Sequence, residues 1–188
     1  MNIIIFGPPG AGKGTQSNFI VKKYNLLQIS TGKILREEIK NNSELGQKIS
    51  SLMNSGTLVA DEIVNKLIDD ILSNKKHQNK YIFDGYPRNL DQANNLENLL
   101  KKYKQKIDIV LKLSVSLETI KKRISERQSL ENRSDDSEEV AVKRYETYEK
   151  STEPVIEYYK KLNLLKVIDG ERSIDQINKE ISDIISSI

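Results

Sequence analysis

The sequence predicts an α/β fold in which a parallel sheet of about five strands is covered by helices on both faces. Short apolar runs of strand length alternate with longer segments whose apolar residues recur at helical spacing. This alternation favours a parallel sheet, because each helix returns the chain to the same end of the sheet. The first apolar run also ends in a glycine-rich turn that leads directly into a helical segment. The predicted strands are 2–6, 26–30, 81–83, 107–113 and 165–168.

Helical spacing predicts the elements between and around these strands. Thr31 follows the second strand and is a good N-cap candidate for the helix after it. Between residue 31 and about residue 64, helical patterns follow one another without a strand, which predicts a helical insertion standing off the sheet. The polar stretch 128–137 predicts a loop between two helices. The predicted helices are 13–24, 32–40, 44–53, 61–73, 90–103, 117–127 and 174–185.

Length and composition restrict the class of protein. A chain of 188 residues favours a single core domain, 1–188, with insertions. No apolar run reaches about 18 residues and Met1 leads straight into a short strand pattern, so we expect neither a membrane span nor a secretion signal. With no cysteine, disulfides and thiolate zinc sites are excluded, and a cytoplasmic location is the default expectation. A net charge of +3, mixed with 27 acidic residues, gives no support for nucleic-acid binding.

The strongest motif is GPPGAGKGT at residues 7–15, between the first predicted strand and the first predicted helix. Its Gly-x-x-x-x-Gly-Lys core is that of a P-loop, whose backbone N–H groups surround phosphate oxygens. The helix N-terminus adds its dipole, and Lys13 can reach the β- and γ-phosphates. Gly14 stands where a hydroxyl is usual, and Thr15 comes next. A plain tight turn is the alternative, but the context predicts a P-loop NTPase-type sheet that binds a nucleoside triphosphate.

Arginine is used sparingly: lysine outnumbers it 23 to 7. Guanidinium offers a planar pair of donors that matches phosphate oxygens, which an ammonium group does not. Arg123 and Arg127 are four residues apart on a predicted helix and therefore share one face. The arginines are accordingly candidates for phosphate contacts rather than generic surface charges.

Four stretches together resemble adenylate kinase: GPPGAGKGT, QISTGKILR at 28–36, FDGYPRNLDQA at 83–93, and the region around Arg123, Arg133 and Arg144. The resemblance runs from residue 1 to about residue 172 and is closest to the short-lid form of the family. It implies reversible, direct in-line transfer of the terminal phosphoryl group of Mg-ATP to AMP, giving two ADP. It also implies an NMP-binding insertion at 30–59, a short lid at 127–136, a monomer and no zinc.

The same resemblance assigns roles to individual residues. Arg36 and Arg88 would hold the AMP phosphate, and the arginines from Arg123 onward would close around ATP and the transferring group. The implied catalytic residues are Lys13, Arg88, Arg123, Arg133 and Arg144. The implied ATP-binding residues are Gly10, Ala11, Gly12, Lys13, Gly14, Thr15, Arg127 and Arg172. The implied AMP-binding residues are Thr31, Arg36, Thr57, Leu58, Val59, Gly85, Tyr86, Pro87, Arg88, Gln92, Arg133 and Arg144.

Magnesium is expected mainly through bound water. Asp84 ends a predicted strand beside the P-loop, where a carboxylate can hold a magnesium-bound water, although turn formation is an alternative role. Thr15 is the second candidate. Two positions depart from the family pattern: Lys33 replaces an acidic residue, and Thr57 replaces a frequent lysine. We expect Lys33 to face solvent or a substrate phosphate.

The sequence leaves more than one base possible for the acceptor nucleotide. Thr31 and Gln92 match the adenine-side contacts of the family, and related pyrimidine kinases commonly carry a smaller residue at position 31. A UMP/CMP kinase of the same fold is therefore the nearest alternative. A non-enzymatic P-loop binding or switch protein, or a weak relative kept as an interaction module, are the others. No general base is required, because the AMP phosphate is already ionised near neutral pH. His77, in a polar stretch, is interpreted as a surface residue.

Overall fold

The sheet lies at the centre of the molecule, and all of its strand pairs are parallel. A computed structural model describes residues 1–131 and 136–188. In that part of the chain the strand order is β2-β3-β1-β4-β5. This confirms the predicted fold class. The strands are β1 Ile3–Phe6, β2 Leu27–Ser30, β3 Tyr81–Asp84, β4 Ile109–Ser114 and β5 Leu165–Asp169.

Helices connect and cover the strands. A single 3₁₀ turn, Lys75–His77, precedes β3. Helices α2 and α3 pack against each other between β2 and α4, where the sequence predicts a helical insertion. None of the described helices combines the length and the apolar character needed to cross a bilayer. The helices are α1 Lys13–Tyr24, α2 Thr31–Lys40, α3 Glu44–Asn54, α4 Asp61–Ser73, α5 Leu90–Lys102, α6 Leu117–Glu131, α7 Glu138–Lys161 and α8 Ile174–Ser186.

Most of the described core lies in two apolar layers, one on each face of the sheet, and a smaller cluster of Ile120, Ile124 and Ala141 joins α6 to α7. Successive side chains of a strand point to opposite faces, so Ile4 and Phe6 of β1 enter one layer while Ile3 and Ile5 enter the other. The first layer is completed mainly by α4, α5 and α7, and the second by α1 and α8. Because every residue of β1 is buried, its side chains read as a continuous apolar run instead of an alternating one.

Two local predictions are wrong. Thr31 is not the N-cap of α2 but its first residue, and Ser30 occupies the cap position. The hydroxyl of Thr31 donates to the carbonyl oxygen of Gly85, just after β3, at 2.8 Å. It therefore bonds to the end of the neighbouring strand and does not cap α2. The predicted loop 128–137 is shorter than expected, because α6 continues to Glu131 and Ser137 caps α7 by accepting from the N–H of Val140. Residues 132–135 lie outside the described part.

The carboxyl ends of the parallel strands share one edge of the sheet. At this edge β1 leads into the glycine-rich loop, β2 into α2, and β3 into the turn that carries Gly85 and Arg88. In open α/β sheets this edge is where ligands bind. The predicted phosphate and acceptor residues therefore come together although they are far apart in sequence.

Candidate functional site

The glycine-rich loop has the backbone shape of an anion nest. Gly10 and Gly12 have φ values of +84° and +90°, in the left-handed region that glycine adopts at little cost. A Cβ on Gly10 would lie 3.1 Å from Cγ1 of Ile124 and 3.2 Å from the carbonyl oxygen of Ile120, so the loop is pressed against α6. In the described structure no side chain caps α1 and no acidic residue lies in its first turn, which leaves its N–H groups for an anion.

Lys13 lies at the centre of a concentration of positive charge. Its Nζ donates to the carbonyl oxygens of Gly7 at 2.7 Å and Pro8 at 3.0 Å. Burial lowers the pKa of Lys13 to about 8; Asp84 opposes the shift, while Arg88, Arg144 and Arg127 add to it. Three guanidinium groups from different parts of the chain therefore act on this ammonium group. A bound polyanion would relieve their mutual repulsion.

A cavity of about 120 Å³ opens beside Lys13. Its walls come from the glycine-rich loop, α2, the segment after α3, the turn after β3, α5 and α7. Most of the predicted acceptor residues line it. Those that do so are Thr31, Arg36, Thr57, Leu58, Val59, Gly85, Pro87, Arg88, Gln92 and Arg144.

Tyr86 is placed differently from its neighbours in the same turn. It is 1% exposed and belongs to the apolar layer, and its hydroxyl donates to Oδ1 of Asn65 at 2.7 Å. It does not belong to the described lining of the cavity. Its side chain packs in the apolar layer on the side of the turn away from the cavity, so only its backbone could contact a ligand.

Helix α7 contributes cavity residues that sequence reasoning missed. Thr147, Tyr148 and Thr152 line the cavity, and Oγ1 of Thr152 donates to the carbonyl oxygen of Arg88 at 3.0 Å. The spacing of 144, 148 and 152 places Arg144 and two of these residues on one face of the helix. That periodicity is the signal that could have identified them, since no motif marks this stretch.

The turn after β3 holds two acceptor-site candidates, Thr31 and Arg88, close together. A Cβ on Gly85 would lie 3.0 Å from Nη2 of Arg88 and 3.1 Å from Oγ1 of Thr31. Nε of Arg88 donates to the carbonyl oxygen of Gly85 at 2.7 Å. Because the Thr31 hydroxyl gives its proton to the same carbonyl, its oxygen can only accept from a further partner.

Two arginines share one buried carboxylate. Arg127 donates to Asp136 through Nε at 2.6 Å and through Nη2 at 2.5 Å. Arg144 donates to Oδ1 of the same carboxylate at 3.4 Å. The side chain of Asp136 is fully buried, so this contact ties α6 to α7 at the side of the cavity. Arg133 lies outside the described residues.

The remaining two arginines lie toward the loop after β5. Nη2 of Arg123 donates to the carbonyl oxygen of Gly170 at 3.0 Å, and its Nη1 is 3.9 Å from the position that a Cβ on Gly12 would take. Arg123 therefore lies beside the glycine-rich loop. Arg172 pairs with Asp169 and with Glu180 of α8.

The described residues fit a hydrated magnesium ion better than a fully protein-bound metal. Asp84 is 9% exposed, ends β3 and accepts from Nε2 of Gln28 at 3.1 Å, while Thr15 is exposed at the start of α1. In the described part of the chain no three His, Asp or Glu side chains form a metal-binding group. Mg²⁺ usually keeps several waters and binds one or two carboxylates together with substrate phosphates. Lys33 is exposed, as expected.

A glycine-rich anion nest beside a cavity lined by Lys13, Arg88 and Arg144 is the arrangement of a P-loop protein. A family model described as adenylate kinase matches residues 5–164. The chain belongs to the adenylate kinase family.

Individual relatives agree with this assignment over nearly their whole lengths. An adenylate kinase from Pelagibacter ubique is 44% identical, with 98% of this chain and 99% of that protein aligned. An adenylate kinase from a Caulobacter species is 42% identical over the full length of both chains, and one from Petrotoga mobilis is 39% identical over 100% of this chain and 98% of its own. The resemblance inferred from the motifs is confirmed, and the alternative of a pyrimidine kinase is not favoured.

Proposed function

We propose that this chain is an adenylate kinase that transfers the terminal phosphoryl group of Mg-ATP to AMP, giving two ADP, in a reversible reaction. The observation that carries the proposal is one cavity that is lined jointly by Lys13, Arg88 and Arg144. Membership of the family supports the same function.

The donor site is proposed at the glycine-rich loop. The N–H groups of residues 10–15 would hold the ATP phosphates, and Lys13 would leave its two carbonyl partners to neutralise the β- and γ-phosphates. Arg123, Arg127 and Arg172 are proposed as further donor-side residues. Mg²⁺ enters with ATP and neutralises phosphate charge, with Asp84 and Thr15 contacting it mainly through water.

The acceptor site is proposed at the cavity. Arg36 and Arg88 would pair with the monophosphate, and Thr31 and Gln92 would contact the base. The segment 57–59 would close over the nucleoside with backbone and apolar groups. This arrangement is supported by the shared lining of one cavity by residues of α2, the β3 turn and α5.

The chemistry needs orientation and charge more than it needs an acid or a base. The AMP phosphate, with a second pKa of about 6, is already a nucleophile at neutral pH. Arg88, Arg144 and Arg133 would surround the transferring group and stabilise the charge on its equatorial oxygens, with attack in line and no covalent intermediate.

Closure of the site is proposed for the two segments that interrupt the alternation, the insertion 30–59 and the lid 127–136. Water competes with AMP as acceptor, so the transfer site must be dry when ATP is bound. A Cβ on Gly56 would lie 3.0 Å from Cγ of Arg144, which shows how closely the insertion approaches α7. A monomer in the cytoplasm is proposed as the working form.

An acceptor panel tests the proposal. The wild-type chain is given Mg-ATP with AMP, CMP, UMP or GMP in turn, and the diphosphate formed is measured. We expect AMP to be the best acceptor by at least tenfold in kcat/KM. A chain that turned over CMP or UMP faster than AMP, or that phosphorylated none of them, would contradict the proposal.

A further inference from the structure

Gln92 lies in the cavity wall with both ends of its side-chain amide engaged. Its Oε1 accepts from the backbone N–H of Arg88 at 2.8 Å, and its Nε2 donates to Oδ1 of Asp61 at 2.6 Å. A carboxylate can only accept and a backbone N–H can only donate. The amide therefore has one orientation in which both contacts are hydrogen bonds. Reversing it would place two donors together at one end and two acceptors at the other.

Asp61 is held just as firmly. It is the first residue of α4, and its two oxygens accept from Nδ2 of Asn89 at 3.1 and 2.8 Å. Asn89 cannot turn round either, because its Oδ1 caps α5 by accepting from the N–H of Gln92 at 2.8 Å. The hydrogen bonds among Asp61, Asn89 and Gln92 therefore fix the orientation of both side-chain amides.

We propose that Asp61 is a positioning residue for the acceptor base: through Gln92 it makes the site favour adenine over a 6-oxopurine. The inference rests on the proposed function and extends it to a residue that no motif marked. Gln92 retains a second hydrogen on Nε2 and a second lone pair on Oε1 for a ligand.

The base edge supplies the discrimination. Adenine presents an acceptor at N1 beside an amino donor at N6, whereas hypoxanthine presents a donor at N1 beside an acceptor at O6. With the Gln92 amide held by Asp61, its Nε2 can donate to N1 of adenine and its Oε1 can accept from the amino group at N6. A reversed amide matches the second pattern. Fixing the amide therefore selects between AMP and IMP.

The Asp61→Asn variant tests this with AMP and IMP as alternative acceptors. The new NH2 group faces Nδ2 of Asn89 in one orientation and Nε2 of Gln92 in the other. Every orientation therefore brings two donors together, which weakens the hold on the Gln92 amide. We expect kcat/KM for AMP to fall about tenfold, mainly through KM, because a base contact is made equally before and during transfer. The ratio of kcat/KM for AMP to that for IMP should fall by a similar factor. The same molecules turn over both acceptors, so the ratio is independent of the folded fraction.

Asp69 supplies a matched control on the same helix. It accepts from the hydroxyl of Tyr103 at 2.6 Å and from Nζ of Lys102 at 3.1 Å, and so also ties α4 to α5. Neither partner is a cavity residue, whereas Asp61 contacts Gln92 in the cavity wall. Asp69→Asn should leave the AMP to IMP ratio unchanged. An equal fall in both variants would mean that Asp61 serves only helix packing and would overturn the inference.

A double-mutant cycle with Gln92→Ala tests whether Asp61 acts through Gln92. If Asp61 acts through Gln92, adding Asp61→Asn to Gln92→Ala should raise KM for AMP less than about twofold further. Additive losses, with wild-type activity on AMP intact, would overturn the inference and leave the proposed function standing. Absence of wild-type activity on AMP would overturn both.

Discussion

Gly85 occupies a left-handed backbone conformation, with φ +78°, between the side chains of Arg88 and Thr31, two residues of the proposed acceptor site. Glycine is needed there for two separate reasons: the conformation itself, and the closeness of Arg88 and Thr31 to the position that a Cβ would take. The sequence motif contains this glycine but does not say which neighbours it admits. The structure adds that information.

Gly85→Ala should raise KM for AMP about tenfold or more, since the new methyl group displaces both the guanidinium and the hydroxyl. The left-handed φ should also lower the free energy of unfolding by about 1 kcal/mol. Steady-state kinetics with AMP and urea unfolding measure the two effects. KM for ATP in the same variant is the control and should change less than twofold. A normal KM for AMP would show that neither displaced side chain contributes to acceptor binding.

The lowered pKa of Lys13 predicts a pH dependence of ATP use. Lys13 is a cation below its pKa of about 8 and loses its charge as pH rises through that value. Because kcat/KM reports the free enzyme, kcat/KM for ATP should fall above pH 8 by up to tenfold per unit. Bound phosphates raise the pKa of Lys13. Because kcat reports the enzyme with substrates bound, it should begin to fall only at a higher pH than kcat/KM does.

The Lys13→Arg variant is the control for that profile. Its guanidinium stays charged throughout the range, so whatever activity remains should be flat between pH 7 and 9 where the wild type declines. A wild-type profile that stays level to pH 10 would show that the ammonium group is not the titrating donor-side charge.

At the scale of elements, the sequence predicted where helices and strands lie better than it predicted the residues at which they begin and end. Helix α4 and the start of α1 match their predicted bounds although no side chain caps either start. In α4 the buried residues Val64, Ile68 and Leu72 recur every four residues, which is the spacing that predicted it. Thr31 was wrongly taken as a cap, since a hydroxyl next to a strand end can bond across the sheet instead. Helix α6 runs past its predicted end because polar residues with good helix propensity continue it.

Helix α8 offers a stability prediction at this scale. Ser173 and Gln176 form a reciprocal capping box at its start, which satisfies N–H groups that the helix itself cannot. Ser173→Ala should lower the free energy of unfolding by about 1 kcal/mol, as measured by urea denaturation. Ser182→Ala, later in the same helix, is the matched control. It removes only an exposed hydrogen bond from Nζ of Lys23 and one to the carbonyl oxygen of Asn178 within the helix, so it should change the free energy of unfolding by less than about 0.5 kcal/mol. Equal losses from both would mean that the box adds no stability.

At the scale of the molecule, the strand order was not predictable from local sequence. Periodicity indicates that strands exist, but the order β2-β3-β1-β4-β5 depends on which faces the crossover helices cover. The same limit applies to the site: the motifs predicted most of the cavity's polar residues, but neither Asp61 nor Thr147, Tyr148 and Thr152 of α7. Their roles arise from contacts between elements that are distant in sequence.

The account depends on groups from separate elements meeting at one transfer site. The glycine-rich loop brings Lys13, the β3 turn brings Arg88, and α7 brings Arg144 to the same cavity. Arg88 and Arg144 both lower the pKa of Lys13, after the larger effect of burial. The site therefore needs ligands to complete it rather than a different fold.

A crystal structure with an unreactive ATP analogue and AMP bound together measures this most directly. The account predicts that Lys13 Nζ leaves the carbonyls of Gly7 and Pro8, and that it and the Arg36, Arg88 and Arg144 guanidinium groups lie about 3 Å from phosphate oxygens. Both nucleotides bound, with these arginines directed away from Lys13 into solvent, would contradict it.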